Sequence, residues 1–538
     1  MDRCIWIPEI LTLICNDLDR KSALSAALTS RAFLEPALDK LWHTIDSFRP
    51  LIACLPEDLW TTEIEPSPEE GKNNVILFLQ RDFLPADLHR YLKYYAHRIQ
   101  HFSPRASPGM KMLSIEAFIA LQTETSLQPG ALSPRLKFCT WLSPHHVNSA
   151  FGYKSDVSRQ ISSFMCLFVG ESVVSLKFSD SRLDNPMDSV AIRATLKRLS
   201  HLKSLDFDRN FGSRFSSLLI SSYSWDHLEN LRAPYLSFAS IAHIAKMPQL
   251  RRLEFTGVIE RIVGADFSTF NESGFLSLRE LIMKCDMGGF IGFGHIQQWL
   301  PVAHHLQECS VHEFWPASTA SVQKALDDIK LKCSAQTLKK IDLMEGTICM
   351  EQQVAQEEED ILDKQCREPH DLSPLHEFNQ LEFLRVSVIG GVQLGPQALS
   401  QIPSIWPKLT TLDLLPSDEH MGRMPSIDHS HMLQLLRSLP SLRVLKIPFD
   451  TTQLSDDQPI LSMPFNLRVL GVGYSPIISP SRVLMFLKVH LSRLETLQTA
   501  DLGEDNDPSV GLTMVQRRWK LVLETWEQTK QQNMQVIT

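Results

Sequence analysis

Ser240-Ile241-Ala242-His243-Ile244-Ala245-Lys246-Met247-Pro248-Gln249-Leu250-Arg251-Arg252-Leu253-Glu254-Phe255 decides how the chain is read. Its first half carries apolar residues at helical spacing. Pro248 then ends the helix, because proline lacks an amide hydrogen and disfavours helix in the residue before it. From Leu250 the pattern becomes apolar-x-x-apolar-x-apolar, closing on the period-two alternation of a strand. The same order of helix, stop and strand recurs at His431–Leu439, Pro440, Leu442 and at Ala398–Trp406, Pro407, Leu409.

The strand template reaches much further. Clear rows are Leu202-Leu205-Phe207, Leu250-Leu253-Phe255, Leu278-Leu281-Met283, Leu338-Ile341-Leu343, Leu381-Leu384-Val386, Leu409-Leu412-Leu414, Leu442-Leu445-Ile447 and Leu467-Leu470-Val472. Weaker ones begin at Leu136, Val173, Leu228, Leu306 and Leu494, and Ile99 opens a degenerate one. Starts are mostly 22 to 33 residues apart, at or near the period of about 20–29 residues of leucine-rich repeats. One coil cannot bury its own apolar face, whereas stacked coils share a continuous core. The expected fold is therefore α/β, a leucine-rich repeat solenoid with parallel strands on the concave face and helices on the convex one.

Length and composition agree. A chain of 538 residues exceeds an ordinary domain of roughly 100–200, which leaves several domains or an array growing in one dimension. Hydrophobic residues at 43% and charged ones at 21% are those of a globular protein, not a disordered one. The net charge of −9 argues against tracking nucleic-acid phosphates by bulk charge.

Strand alternation also predicts a surface. With Leu205 and Phe207 inward, Ser204, Asp206 and Asp208 face out. The same logic exposes Arg252, Glu254, Glu280, Lys284, Lys340, Asp342, Arg385, Asp413 and Lys446. This mixed-sign ribbon suits a protein or peptide partner. The candidate partner-facing residues are Asp206, Asp208, Arg252, Glu254, Glu280, Lys284, Asp342, Arg385, Asp413 and Lys446.

The repeats occupy residues 131–500, with an acidic insertion at Glu351–Asp371. Residues 47–130 read as a helical connector with a loop near Glu63–Lys72, where proline and charge concentrate. After the polar stretch Asp501–Ser509, the residues Leu512, Val515, Trp519, Val522 and Trp526 have helical spacing, so 501–538 reads as a capping helix on the end of the array.

Residues 1–46 follow a different pattern. Pro8 opens a helix whose apolar face is Ile10, Leu11, Ile14 and Leu18. Asp19 can cap a second helix through Leu24, Ala27 and Leu28, and Pro36 reads as the opening of a third with Ala37, Leu38, Leu41 and Trp42. Three short helices make too small a core to stand comfortably alone, so the module is expected to rest on a neighbour.

Ile7-Pro8-Glu9-Ile10-Leu11, then Leu28-x-Ser30-Arg31-x-Phe33 and Leu41-Trp42, resemble an F-box. Followed by irregular leucine-rich repeats, the arrangement is similar to the large F-box families of fungi. The likeness covers Ile5 to Asp46 and departs from the common pattern at Thr29 and Phe33. It implies docking onto the Skp adaptor, and through it a cullin, in a ubiquitin ligase whose protein substrate is chosen by the repeats. By matching position Ile7, Pro8, Ile10, Leu11, Ile14, Leu28, Phe33, Leu41 and Trp42 divide between the module's core and the adaptor surface, with Trp42 the expected dominant contact. The alternative is a leucine-rich repeat scaffold, unconnected to ubiquitin transfer, whose first helices only cap the array.

Motifs for chemistry fail one by one. The 10 cysteines form no C-x-x-C pair, which fits a reducing, intracellular setting, in cytoplasm or nucleus. The N-terminal stretch lacks the form of a signal peptide, and no window of about 18 uncharged apolar residues suggests a membrane span. There is no phosphate-binding G-x-x-x-x-G-K-[ST] loop and no G-x-S-x-G elbow. Gly288-Gly289-Phe290-Ile291-Gly292-Phe293-Gly294 misses the dinucleotide spacing, since its third glycine would fall at Gln297. The pairs His145-His146 and His304-His305, and the group His420, His429 and His431, lack metal-ligand spacing. The chain reads as a non-catalytic interaction protein without cofactor or metal.

Overall fold

The computed structural model describes residues 7–66, 73–104, 111–142, 147, 160–178, 186–208, 213–258, 274–286, 288–315, 317–346, 369–417, 424–454, 465–499 and 513–537. The chain is α/β, with a large parallel sheet of 15 strands. By packing it divides into two units, Met1–Leu253 with Val258–Glu260, and Glu254–Gly257 with Arg261–Thr538.

The first unit begins with three helices, α1 (Pro8–Asp17), α2 (Arg20–Thr29) and α3 (Arg31–His43). Proline stands at the start of α1, and Asp19 caps α2 by accepting the Ser22 amide at 2.7 Å. The expected start of the third helix is corrected: Ser30 caps α3, so Pro36 lies inside it.

Strand β1 (Thr44–Ile45) follows. The segment expected to be a helical connector also holds a small sheet, a second correction. Here β2 (Trp60–Pro66) pairs antiparallel with β3 (Asn73–Leu79), and β5 (Lys111–Leu113) joins β3 in parallel, while β4 (His101–Phe102) belongs to the large sheet. Val75, Ile76, Leu77 and Phe78 are the β-branched and apolar run that favours this strand. Glu63–Pro66 of the expected loop are strand; its remainder lies outside the described residues.

Next come β6 (Phe138–Trp141), β7 (Ser175–Phe178), β8 (Ser204–Phe207) and β9 (Asn230–Leu236). From β1 through β4 and β6 to β9, each strand lies beside the next in parallel and in register, as in Phe138↔Ser175 and Ser175↔Ser204. Parallel neighbours require a crossover, which helices such as Pro186–Leu196 and Ser213–Ser222 supply in this unit. Strand β10 (Arg252–Val258) falls at the division between the units.

The second unit repeats this arrangement with β11 (Glu280–Cys285), β12 (Glu308–Glu313), β13 (Lys340–Glu345), β14 (Phe383–Ser387), β15 (Thr411–Asp413), β16 (Val444–Lys446), β17 (Val469–Gly473) and β18 (Thr496–Thr499). Each pairs in parallel with its successor. Helices Gly289–Gln297, Thr319–Lys332, Pro396–Ile405, His429–Ser438 and Pro480–His490 fill the crossovers. The helix ahead of Pro407 stops at Ile405 and that ahead of Pro440 at Ser438, so each proline follows its helix at once.

Packing explains the repeat. The first residue of every row, from Leu136 to Leu494, is at most 3% exposed. At roughly 25 cal/mol per Å² of apolar area, each such leucine contributes on the order of 1.5–3 kcal/mol that no coil could obtain alone. Helix Met514–Ile537 packs on the last coil: Trp519, Val522 and Trp526 are buried, and the Trp519 indole donates to the Ser475 carbonyl at 2.7 Å. Leu512, Asp501–Ser509 and most of the acidic insertion lie outside the described residues.

Candidate functional site

In the N-terminal module the inward residues are few and small. Leu11, Cys15, Ala23 and Ala37 are buried, while Ile10, Leu18, Phe33, Leu41 and Trp42 are half-buried. Ile7, Pro8, Ile14 and Leu28 are exposed, Leu28 at 80%. Leu13, Leu24 and Leu34 join them on the surface; the sequence pattern does not single out Leu13 and Leu34, and Ile14, expected on the apolar face of α1 with Ile10, Leu11 and Leu18, is corrected to exposed.

Trp42, expected to be the leading contact for another protein, is already engaged. Its ring stacks on Tyr95 at 4.3 Å between centroids and meets Tyr91 edge-on at 6.1 Å. Beside it the nearly buried Arg98 donates to the Tyr94 carbonyl at 2.7 Å and reaches the carboxylates of Glu35 and Asp39 on α3. Burial works against the Arg98 charge, but these two carboxylates outweigh it and raise the guanidinium pKa. The module is thereby seated on the chain that follows it, through Trp42 and Arg98 and not through its exposed leucines.

The second candidate surface is the open face of the sheet, away from the helices. In the first unit Asp206 lies 3.3 Å from Lys177 and 3.8 Å from Arg232. Burial raises its carboxyl pKa, and the two cations offset only part of that. In the second unit Lys284 pairs with Glu254 and Lys340 with Glu308, each at 2.8 Å. Arg385 bridges Asp342 at 3.5 Å and Asp413 at 3.2 Å, and Lys446 reaches Asp413 at 3.2 Å. Gly471 stands beside Lys446 in register. A Cβ there would fall 2.7 Å from the lysine Cγ, so glycine leaves the room that the stem of Lys446 occupies, while its ammonium reaches Asp413.

The expected exposure of this ribbon is corrected at three positions: Glu254, Asp342 and Asp413 are 8%, 5% and 4% exposed. They do point away from the core, as alternation demands, but lysine and arginine side chains from neighbouring strands lie across them. Asp206, Asp208, Arg252, Glu280, Lys284, Arg385 and Lys446 are half-buried. Burial also opposes the charge of Asp342, yet His312 at 3.3 Å, Arg385 and Lys340 together hold its carboxyl below the usual range. Cross-strand pairing of this kind depends on register, which residue spacing within one strand does not reveal.

The glycine-rich loop shows why it needs no ligand. Gly288 adopts φ +70° at the start of helix Gly289–Gln297. The buried Glu313 carboxylate accepts the Gly288 amide at 2.6 Å and the Phe290 amide at 3.1 Å. An anion from the chain itself thus occupies the helix N-terminus, the position a phosphate would take. His304 is buried and bonded to the Phe275 carbonyl at 2.7 Å; His145, His146 and His420 lie outside the described residues. Among the described residues no three His, Cys, Asp or Glu side chains gather as a metal site. Burial pushes the Cys285 and Cys333 thiols up to about 12, far from the reactive thiolate range. No helix among the described residues is long and apolar enough to cross a membrane.

No family model matches the chain, and no curated protein matches it significantly.

Proposed function

We propose that the chain is a substrate-recognition subunit of a Skp–cullin–F-box ubiquitin ligase, built as an F-box-like module ahead of a leucine-rich repeat solenoid. The module docks on the Skp adaptor and the open sheet face holds a protein substrate. The observation that carries this reading is the set of exposed leucines, Leu13, Leu24 and Leu28 at 66%, 52% and 80%, on a module whose seat is already made by Trp42 and Arg98. Several large apolar side chains left exposed on so small a module are what a surface for another protein would require. Such a subunit performs no bond chemistry; by tethering, it raises the effective concentration of target lysines at the recruited enzyme.

The test is co-purification of the intact protein with the Skp adaptor. Wild type is expected to form a stable complex, and Leu13→Asp combined with Leu28→Asp to abolish it at unchanged thermal stability. A double variant that binds as well as wild type, or a wild type that does not bind, refutes the reading. A second reading, a scaffold with a helical cap, gains from the inward use of Trp42; it predicts no adaptor binding in either case.

A further inference from the structure

We infer that the strip formed by Phe383, Val444 and Val469, bordered by Lys340, Arg385 and Lys446, docks an acidic-apolar segment of a partner protein, in which aliphatic or aromatic side chains stand next to Asp or Glu. This rests on the open sheet face being the partner-binding face and adds the chemistry it selects.

Register builds the strip. Lys340, Phe383, Thr411, Val444 and Val469 stand side by side on five successive strands. Asp342, Arg385, Asp413, Lys446 and Gly471 form the parallel row one step along. From β14 onward the first row is apolar or β-branched, and its members are half-buried, so it presents apolar surface without forming core. Phe383 sits between two cations, with the Lys340 ammonium 5.2 Å and the Arg385 guanidinium 5.4 Å from its ring centre. An aromatic flanked by arginine is the kind of grouping that dominates protein interfaces.

The charges balance on paper but not toward solvent. The side chains of Lys340, Arg385 and Lys446 are 36%, 27% and 20% exposed, whereas those of their partners Glu308, Asp342 and Asp413 are 19%, 7% and 6%. The carboxylates are consumed beneath the cations, and the layer a partner meets is donor-rich and apolar. On a chain of net charge −9, a row whose cations are more exposed than the carboxylates they pair with favours incoming carboxylates against the general field. Three cations beside a greasy row are too few and too short an array to track a nucleic-acid backbone, but they match a peptide that alternates apolar and acidic side chains.

A random-peptide display library selected against the intact protein tests this. The enriched sequences are expected to place Asp or Glu beside Leu, Ile, Val or Phe. The same peptides, made synthetically, are expected to bind Phe383→Ala and Lys340→Gln about tenfold more weakly, and wild type more weakly in raised salt. An enriched pool that is neutral or basic, no enrichment, equal binding by both variants, or polyuridylate binding as tight as the peptides would each overturn the inference. Both variants are expected to keep the wild-type melting temperature and to retain the Skp adaptor. Failure of peptide binding with adaptor binding intact therefore sinks this inference alone, and the converse result sinks the ligase reading alone.

Discussion

Replacing Asp413 by Asn removes one charge and almost no volume from the centre of the ion row. Two cations lie 3.2 Å from its carboxylate. At an effective dielectric near 20 each pair is worth about 5 kcal/mol of Coulomb energy. Burying the carboxylate costs several kcal/mol, and both cations remain partly hydrated, at 27% and 20% side-chain exposure. The net loss is therefore expected at about 2–3 kcal/mol, below the 3–5 kcal/mol of a fully buried pair and above the 0.2–1 kcal/mol of an exposed one. In the second unit this is a fall in melting temperature of roughly 5–10 °C. Since a long chain with two units need not unfold in one step, hydrogen exchange over β14–β16 is the sharper assay. Adding Lys446→Met should recover part of the loss, because it removes the cation whose counter-charge is gone, whereas Arg385 keeps Asp342 at 3.5 Å. A loss under about 0.5 kcal/mol, or strict additivity of the two substitutions, would refute the reasoning.

Trp42→Ala is expected to cost about 2 kcal/mol, less than for a fully buried tryptophan, and to raise hydrogen exchange in α1–α3; Leu28→Ala should stay within about 0.5 kcal/mol. Equal exchange in the two variants would remove Trp42 as the seat of the module. Gly130 adopts φ +74° and a Cβ there would fall 2.7 Å from the Gly170 Cα, so Gly130→Ala should cost about 2 kcal/mol or more, visible as a lower denaturation midpoint. Burial depresses the pKa of His304, His370, His429 and His490. These bases take up a proton more readily unfolded than folded, so the stability tied to their neutral forms holds above about pH 6.5 and is lost as pH falls below it. A melting temperature no lower at about pH 5.5 than at pH 7.5 would contradict that, and His490→Gln should lessen the drop.

How much was legible follows from the range of each interaction. The row leucines announce themselves locally, since a buried strand next to a helix requires apolar residues at fixed offsets. Ile99, read as opening a degenerate row, is buried just ahead of β4, as is Phe102 within that strand. The seat of the first helices was not legible. Arg98 meets Glu35 and Asp39 across 63 and 59 residues, and nothing in its own neighbourhood distinguishes it from a surface arginine. Nor was the covering of Asp342 and Asp413, because whether an outward carboxylate is wet depends on which cation stands one strand over. Pro36 misled for a local reason: proline usually stands in the first turn of a helix, but Ser30 caps α3 and Pro36 is its sixth residue, inside the helix.

The terminal helix Met514–Ile537 also bears on how the chain behaves in crowded solution. The last strand of any sheet offers a row of amide and carbonyl groups that invites a stranger's strand to add on. With Trp519 fastened to Ser475 and Lys530 donating to the Glu495 carbonyl just ahead of β18, the terminal helix is anchored beside that end. Clipping the chain before Met514 would turn a self-limiting stack into one able to polymerise, and insoluble fibres rather than lost binding would be the first sign of it.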